Sequence, residues 1–125
     1  MKKKLLIITG VIALVLAIFF IVLTNGLSEG TMVNINGVNL AGIPDGSYTG
    51  VYEFKRWSNM VVVHVNNNEI TSIDIEQDVF AARVTNASGE MIRRVIESQN
   101  TTVDTVSGAT VTSKAYLMAI EDALR

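Results

Sequence analysis

The sequence predicts an α+β domain, a small antiparallel sheet with two packing helices, preceded by one N-terminal transmembrane helix. Three observations predict it. Leu5–Leu23 is nineteen residues long and carries no charge. Between Gly46 and Gln77, three stretches show the alternation or the β-branched density of strands. Beyond Glu90, two segments place apolar residues at helical spacing.

The first element follows from length. Nineteen residues at about 1.5 Å rise approach the ~30 Å hydrocarbon thickness of a bilayer. Lys2, Lys3 and Lys4 stand directly before the run, and the first acidic residue after it is Glu29. Positive residues stay on the cytoplasmic side, so the remainder of the chain is expected outside, on a single-pass anchor in the cell membrane. A cleaved signal peptide has a shorter apolar core and a small-residue site. Leu23-Thr24-Asn25-Gly26 offers no such site, and an uncleaved anchor is expected.

Residues 24–31 are small and polar and read as a linker. Asn36-Gly37, between Val33-Asn34-Ile35 and Val38-Asn39-Leu40, suits a tight hairpin or a short extended pair. The expected division is therefore 1–24 for flank and anchor, 25–42 for linker and extended segment, and 43–125 for the folded domain.

Gly46–Phe54 puts Tyr48, Gly50, Tyr52 and Phe54 on one face of a strand. Met60–Val65, MVVVHV, is β-branched on both parities, which predicts a strand covered on both sides. Asn66-Asn67-Asn68 turns the chain into a third strand, Glu69–Gln77. Ile70 lies on the opposite parity to Ile73 and Ile75, which calls for a bulge or the other layer. Asn86-Ala87-Ser88-Gly89 reads as a helix break after an apolar stretch containing Val79, Phe80 and Val84. Met91, Ile92, Val95 and Ile96 then define a helix from Glu90 to Ser98. A final helix is predicted from Ser113, with Tyr116, Ala119, Ile120, Ala123 and Leu124 inward and Lys114, Glu121 and Asp122 toward water.

Composition removes several functions. The lack of Cys excludes disulfides, thiolate metal sites and thiol catalysis, the lone His argues against His-rich metal sites and a Ser–His pair, and no catalytic or metal-ligating set is expected. Beyond Leu23 the chain holds seven basic and twelve acidic side chains, a formal net charge of −5 with no basic run. Binding nucleic acid needs clustered Lys and Arg, so no nucleic-acid partner is expected. His64, in a Val-rich strand, reads as a satisfied structural residue.

The residues with chemical potential are Asp104-Thr105-Val106-Ser107-Gly108-Ala109-Thr110-Val111-Thr112-Ser113. They form a short extended stretch, a Gly turn and a run of hydroxyls ahead of a helix. Unpaired N–H groups and the positive end of the helix dipole favour an anion there, above all a phosphate. Gly108 and Ala109 leave room at the backbone, Thr112 falls at or next to the N-cap, and Lys114 is close enough to add charge. The same residues also suit ordinary helix capping by Thr112 or Ser113, and spacing alone does not separate the two.

This run resembles the flavinylation motif of the FMN-binding domain family: Asp, two residues, Ser/Thr-Gly-Ala-Ser/Thr, one residue, Thr. That domain is shared by the C subunit of the sodium-pumping NADH:quinone reductase and the G subunit of the Rnf complex. Ile43-Pro44-Asp45-Gly46-Ser47-Tyr48-Thr49-Gly50, Val61–Ile75 and Ile92–Gln99 are similar to other parts of small, stand-alone members. The resemblance implies FMN linked to Thr112 through a phosphoester, with Asp104, Ser107, Gly108, Ala109 and Thr110 on the remaining motif positions. It also implies a separate flavin transferase that uses FAD and releases AMP, and a membrane-anchored, extracytoplasmic electron carrier between a membrane donor and an extracytoplasmic acceptor. The protein is then a carrier rather than an enzyme on its own. Tyr48, Tyr52, Trp57, Phe80 and Tyr116 are aromatic residues able to stack on a flavin, though each also suits ordinary packing. A module binding FMN without a covalent bond, and a flavin-free domain with Thr112 as a cap, are the alternatives.

Overall fold

The computed structural model describes residues 1–79 and 86–125. Helix α1 (Lys2–Thr24) has no buried residue, and Lys2–Thr31 contains a window of mean hydropathy 3.2, long and apolar enough to cross a membrane. Asn25 and a left-handed Gly26 end α1, and a short helix α2 (Leu27–Thr31) follows within the stretch read as a linker. Gly30 of α2 is buried; a Cβ there would lie 2.4 Å from Val111 Cγ1, so α2 seats directly on the start of the last helix.

Strands β1 (Gly46–Tyr52), β2 (Asn59–Asn66) and β3 (Glu69–Gln77) form the expected antiparallel sheet in the order β1-β2-β3. Helices α3 (Ala87–Ser98) and α4 (Thr110–Ala123) pack on it. The main core joins Val61, Val63, Val65, Ile70 and Ile73 to Met91, Val95, Leu117, Ala119, Ile120 and Ala123. A second, smaller core gathers Trp57, Val79, Val111, Ala115 and Tyr116 around the first turns of α4.

The bulge expected at Ile70 is present. The register slips between His64↔Ser72 and Val65↔Ile70, which turns Ile70 into the core with Ile73. The double cover expected for β2 is not. Val61, Val63 and Val65 are buried, whereas Met60, Val62 and His64 on the opposite face are half-buried. The main core, with α3 and α4, lies on the face of Val61, Val63 and Val65. On the other face His64 bridges the strands, Nδ1 at 2.7 Å from Ser47 Oγ and Nε2 at 2.8 Å from Asp74 Oδ2, the structural role expected of it.

Three further expectations are corrected. Residues 33–40 form no hairpin: the N–H groups of Asn36 and Gly37 donate to the Glu121 carboxylate, and Ile35 and Leu40 pack against the core. Ala87, Ser88 and Gly89 do not break a helix but begin one, because small residues are tolerated in a first turn whose N-cap, Asn86, takes up the left-handed bend. The last helix begins at Thr110 rather than Ser113. Phe80 and Val84 lie outside the described residues.

Helix α3 carries a charge cluster, with Glu90 Oε1 accepting from Arg93 Nη2 at 2.5 Å and from Arg94 Nε at 2.9 Å. These two guanidinium groups hold the Glu90 carboxyl below the usual glutamate range, Arg93 foremost. A depressed carboxyl contributes stability that is complete above its unfolded-state pKa and is lost as pH falls through the folded one. Glu90→Gln is therefore expected to lower the melt slightly at neutral pH and to flatten the acid limb, so that the two proteins converge as pH falls below the usual glutamate pKa. Melting curves of both full-length proteins from pH 7 to pH 3 check this, and parallel acid limbs would contradict it.

Candidate functional site

The site is built where the motif enters α4. Gly108 adopts φ +79, a conformation that suits glycine, and the Ala109 N–H closes a turn onto the Val106 carbonyl. Ala109 then stands at the N-cap with no side-chain capping bond, and Ser113 N–H donates to its carbonyl. Ser113 is fully buried. Its Oγ donates to the Ala109 carbonyl at 2.7 Å and accepts the Val106 N–H at 3.1 Å. The hydroxyl that braces the loop is thus Ser113.

Thr112 is the third residue of α4, inside the first turn rather than at the cap. It is 6% exposed and its hydroxyl makes no hydrogen bond with the described residues. It lines a cavity of about 360 Å³ together with Leu27, Thr31, Arg56, Trp57, Gly108, Ala109, Thr110 and Val111. That volume lies within the ~300–1,000 Å³ of small-molecule sites. Four of the six expected site residues, Gly108, Ala109, Thr110 and Thr112, therefore meet at one cavity.

Asp104 and Ser107 do not. They line a separate, more open groove of about 770 Å³ with Arg94, Glu97, Ser98 and Thr102. Arg94 Nη1 donates to the Asp104 carbonyl at 2.6 Å, so the groove side of the motif is tied to α3. Of the two, the less open cavity is lined by the first residues of α4, Thr112 among them.

Lys114, expected to add charge, is spent elsewhere. Its Nζ donates to the carbonyls of Thr31 and Val33 and holds α2 in place. The cation that lines the cavity is Arg56, fifty-six residues before Thr112. Its guanidinium lies 4.4 Å from the centre of the Trp57 ring, Nη2 donates to the Leu23 carbonyl at the end of α1, and Nε is buried with no hydrogen-bond partner. Leaving a buried donor unmade costs ~1–3 kcal/mol, more for a charged group. The neighbouring Lys55 reaches Asn25 Oδ1 at 2.8 Å and Glu29 at 3.3 Å, a second tie to the segment that follows α1.

Among the aromatic candidates, only Trp57 lines this cavity, buried and stacked on Phe54 at 5.9 Å. Tyr48 donates its hydroxyl to the Pro44 carbonyl, and Tyr52 packs beside Phe54. Tyr116 is buried in the second core, its hydroxyl bonded to Asp78. Burial, then the Asp78 carboxylate, pushes its phenol well above the ordinary tyrosine pKa, so it stays a neutral donor. Phe80 lies outside the described residues.

Leu27, Thr31 and Arg56 are site residues that sequence reasoning does not reach. The basic pair Lys55-Arg56 ahead of the single Trp is the one local signal, and it is weak because such pairs are usually solvated.

A family profile described as FMN-binding domain matches residues 57–125, more than half of the chain. The chain belongs to the FMN-binding domain family. No curated protein matches it. The match to the FMN-binding domain begins at Trp57, so Leu27, Thr31 and Arg56 are cavity residues that lie before it. The cavity's composition fits FMN: Leu27, Trp57 and Val111 offer apolar surface, while the free N–H groups of α4 and the unpaired Arg56 Nε suit a phosphate.

Proposed function

We propose that the protein is a membrane-anchored, extracytoplasmic electron-transfer protein that carries FMN through a phosphoester on Thr112. The observation that carries this reading is Thr112: it lines a cavity at a helix N-terminus, its hydroxyl caps nothing, and it occupies the acceptor position of the motif Asp104-x-x-Ser107-Gly108-Ala109-Thr110-x-Thr112. Capping, the plain alternative for this residue, is not what its hydroxyl does.

Attachment is the work of a separate flavin transferase. The Thr112 oxygen bonds to the flavin-side phosphorus of FAD, the pyrophosphate P–O bond breaks, AMP departs with the bridging oxygen, and the hydroxyl proton passes to solvent. The phosphodiester keeps one negative charge, which the α4 N-terminus stabilises by about 0.3–1 kcal/mol at an exposed site. Ser113 keeps the loop in shape while Gly108 and Ala109 let the phosphate approach the backbone. Asp104 and Ser107, facing the outer groove, suit contact with the transferase rather than with the finished cofactor. Bound FMN supplies reversible one- or two-electron redox chemistry.

Lys2–Lys4 orient α1 with its N-terminus in the cytoplasm, and the anchor holds the cofactor close to a membrane electron donor and within reach of an extracytoplasmic acceptor. A permanent link is an advantage outside the cell, where a dissociated cofactor is lost.

Cells making the full chain with and without the transferase test this. Flavin fluorescence surviving a denaturing gel is expected only with the transferase, with an added mass of one FMN less water on the Thr112 peptide, and none in Thr112→Ala. A colourless band in both preparations refutes the reading, and flavin that washes out on denaturation leaves a non-covalent module.

A further inference from the structure

We propose that the segment leaving the membrane completes the cofactor site, with Arg56 as the residue that grips the FMN phosphate. The inference rests on the proposed FMN site but goes beyond the matched domain, since Arg56 precedes it.

Four observations converge on Arg56. It borders the same cavity as Thr112, and among the described residues it is the single charged side chain lining that cavity. Its Nε is buried and unpartnered, the one donor of the guanidinium shown to lack a partner where burial demands one. The rest of the group is fixed: Nη2 on the Leu23 carbonyl and the plane over Trp57, 4.4 Å from its centre. The nearby alternative, Lys114, already serves two carbonyls.

A guanidinium held on two sides with a donor left over is pre-organised for an anion. The phosphodiester is the anion this cavity would receive, and a small turn of the Arg56 side chain that brings the orphaned Nε–H to the cavity wall gives it a charge-assisted N–H···O bond. Because Arg56 is itself held by the Leu23 carbonyl near the end of α1, the anchor contributes to the site directly as well as tethering it. Helix α2, whose Leu27 and Thr31 line the same cavity, closes the wall beside it. Arg56 is a binding and positioning residue here; no redox step passes through it.

The test compares full-length protein in detergent with and without attached flavin, following the Arg56 side-chain Nε–H by NMR and the phosphodiester by ³¹P. On loading, the Nε proton is expected to move downfield and to exchange several-fold more slowly. Arg56→Gln should shift the phosphorus signal, Arg56→Lys should restore part of the shift, and Arg93→Gln, on the far helix α3, should leave it in place. An Arg56 resonance unchanged in protein whose denaturing gel shows covalent flavin overturns the inference without touching the Thr112 assignment. If the gel shows no covalent flavin, free FMN is added to the same sample. A response of the Nε–H at saturating FMN then supports Arg56 as the phosphate contact, and silence overturns it. The wild-type resonance decides the matter even if Arg56→Gln fails to fold.

Discussion

Gly50→Val is expected to cost the domain more than about 3 kcal/mol, enough to leave much of it unfolded. Gly50 sits in the middle of β1, paired with Val61 and buried against α4. A Cβ there would fall 1.9 Å from the Ala119 carbonyl oxygen, 2.6 Å from the Ala123 nitrogen and 2.8 Å from the Ala123 Cβ. The first two are backbone atoms of a helix and cannot rotate away. The strand and helix touch backbone to backbone because Gly50, Ala119 and Ala123 are all small, and that close approach sets the position of α4. Since α4 carries Thr112 at its other end, the variant is expected to lose flavin attachment together with its fold. Gly50→Ala should show a smaller loss of the same sign. Thermal melts and protease resistance of the full chain in detergent check this, and a cooperative melt for Gly50→Val within a few degrees of wild type would show that strand and helix can part.

The strands were legible because they obey local rules. Tyr48, Gly50 and Tyr52 share a parity, the Asn triplet turns, and the misplaced Ile70 announces its bulge. The helix faces were equally plain, since Met91, Val95, Tyr116 and Ile120 fall at helical spacing and are buried. The motif region could be found by its resemblance, and four of its residues do meet at one cavity. What could not be read was whatever depends on distant partners. Lys114 and Glu121 look like solvent-facing residues of an amphipathic helix, yet residues 31–37 cross over α4 and engage both. Arg56 is a surface residue by every local criterion, and gains its place only because the end of α1 and the segment after it lie against the domain. The helix start was missed for a related reason: Ser113 looks like a cap in sequence, but its hydroxyl faces inward to tie Val106 and Ala109 together.

Glu121 gives that lesson its strongest experimental consequence. It is 4% exposed, and a single carboxylate oxygen, Oε1, accepts three hydrogen bonds: from Asn36 N–H and Gly37 N–H at 2.9 Å each and from Thr101 Oγ1 at 2.8 Å. Thr101 is itself fully buried, so its hydroxyl has no ready access to water when the carboxylate goes, whereas Asn36 is exposed and Gly37 half-buried. Hydrogen bonds to a charged acceptor contribute ~1.5–3 kcal/mol each, and a buried donor left without one adds its own desolvation cost. Glu121→Ala is therefore expected to destabilise the domain by at least about 3 kcal/mol, lowering the melting temperature by on the order of 15 °C. Glu121→Gln retains a carbonyl oxygen and should lose roughly half as much. The same change frees residues 36–37 from α4, so amide exchange at Asn36 and Gly37 should accelerate far more than exchange in β2, whose pairing does not involve Glu121. Uniform acceleration across the sheet and the 36–37 turn would instead mean that Glu121 acts only through global stability, and an unchanged melt would mean that water replaces the carboxylate at no cost.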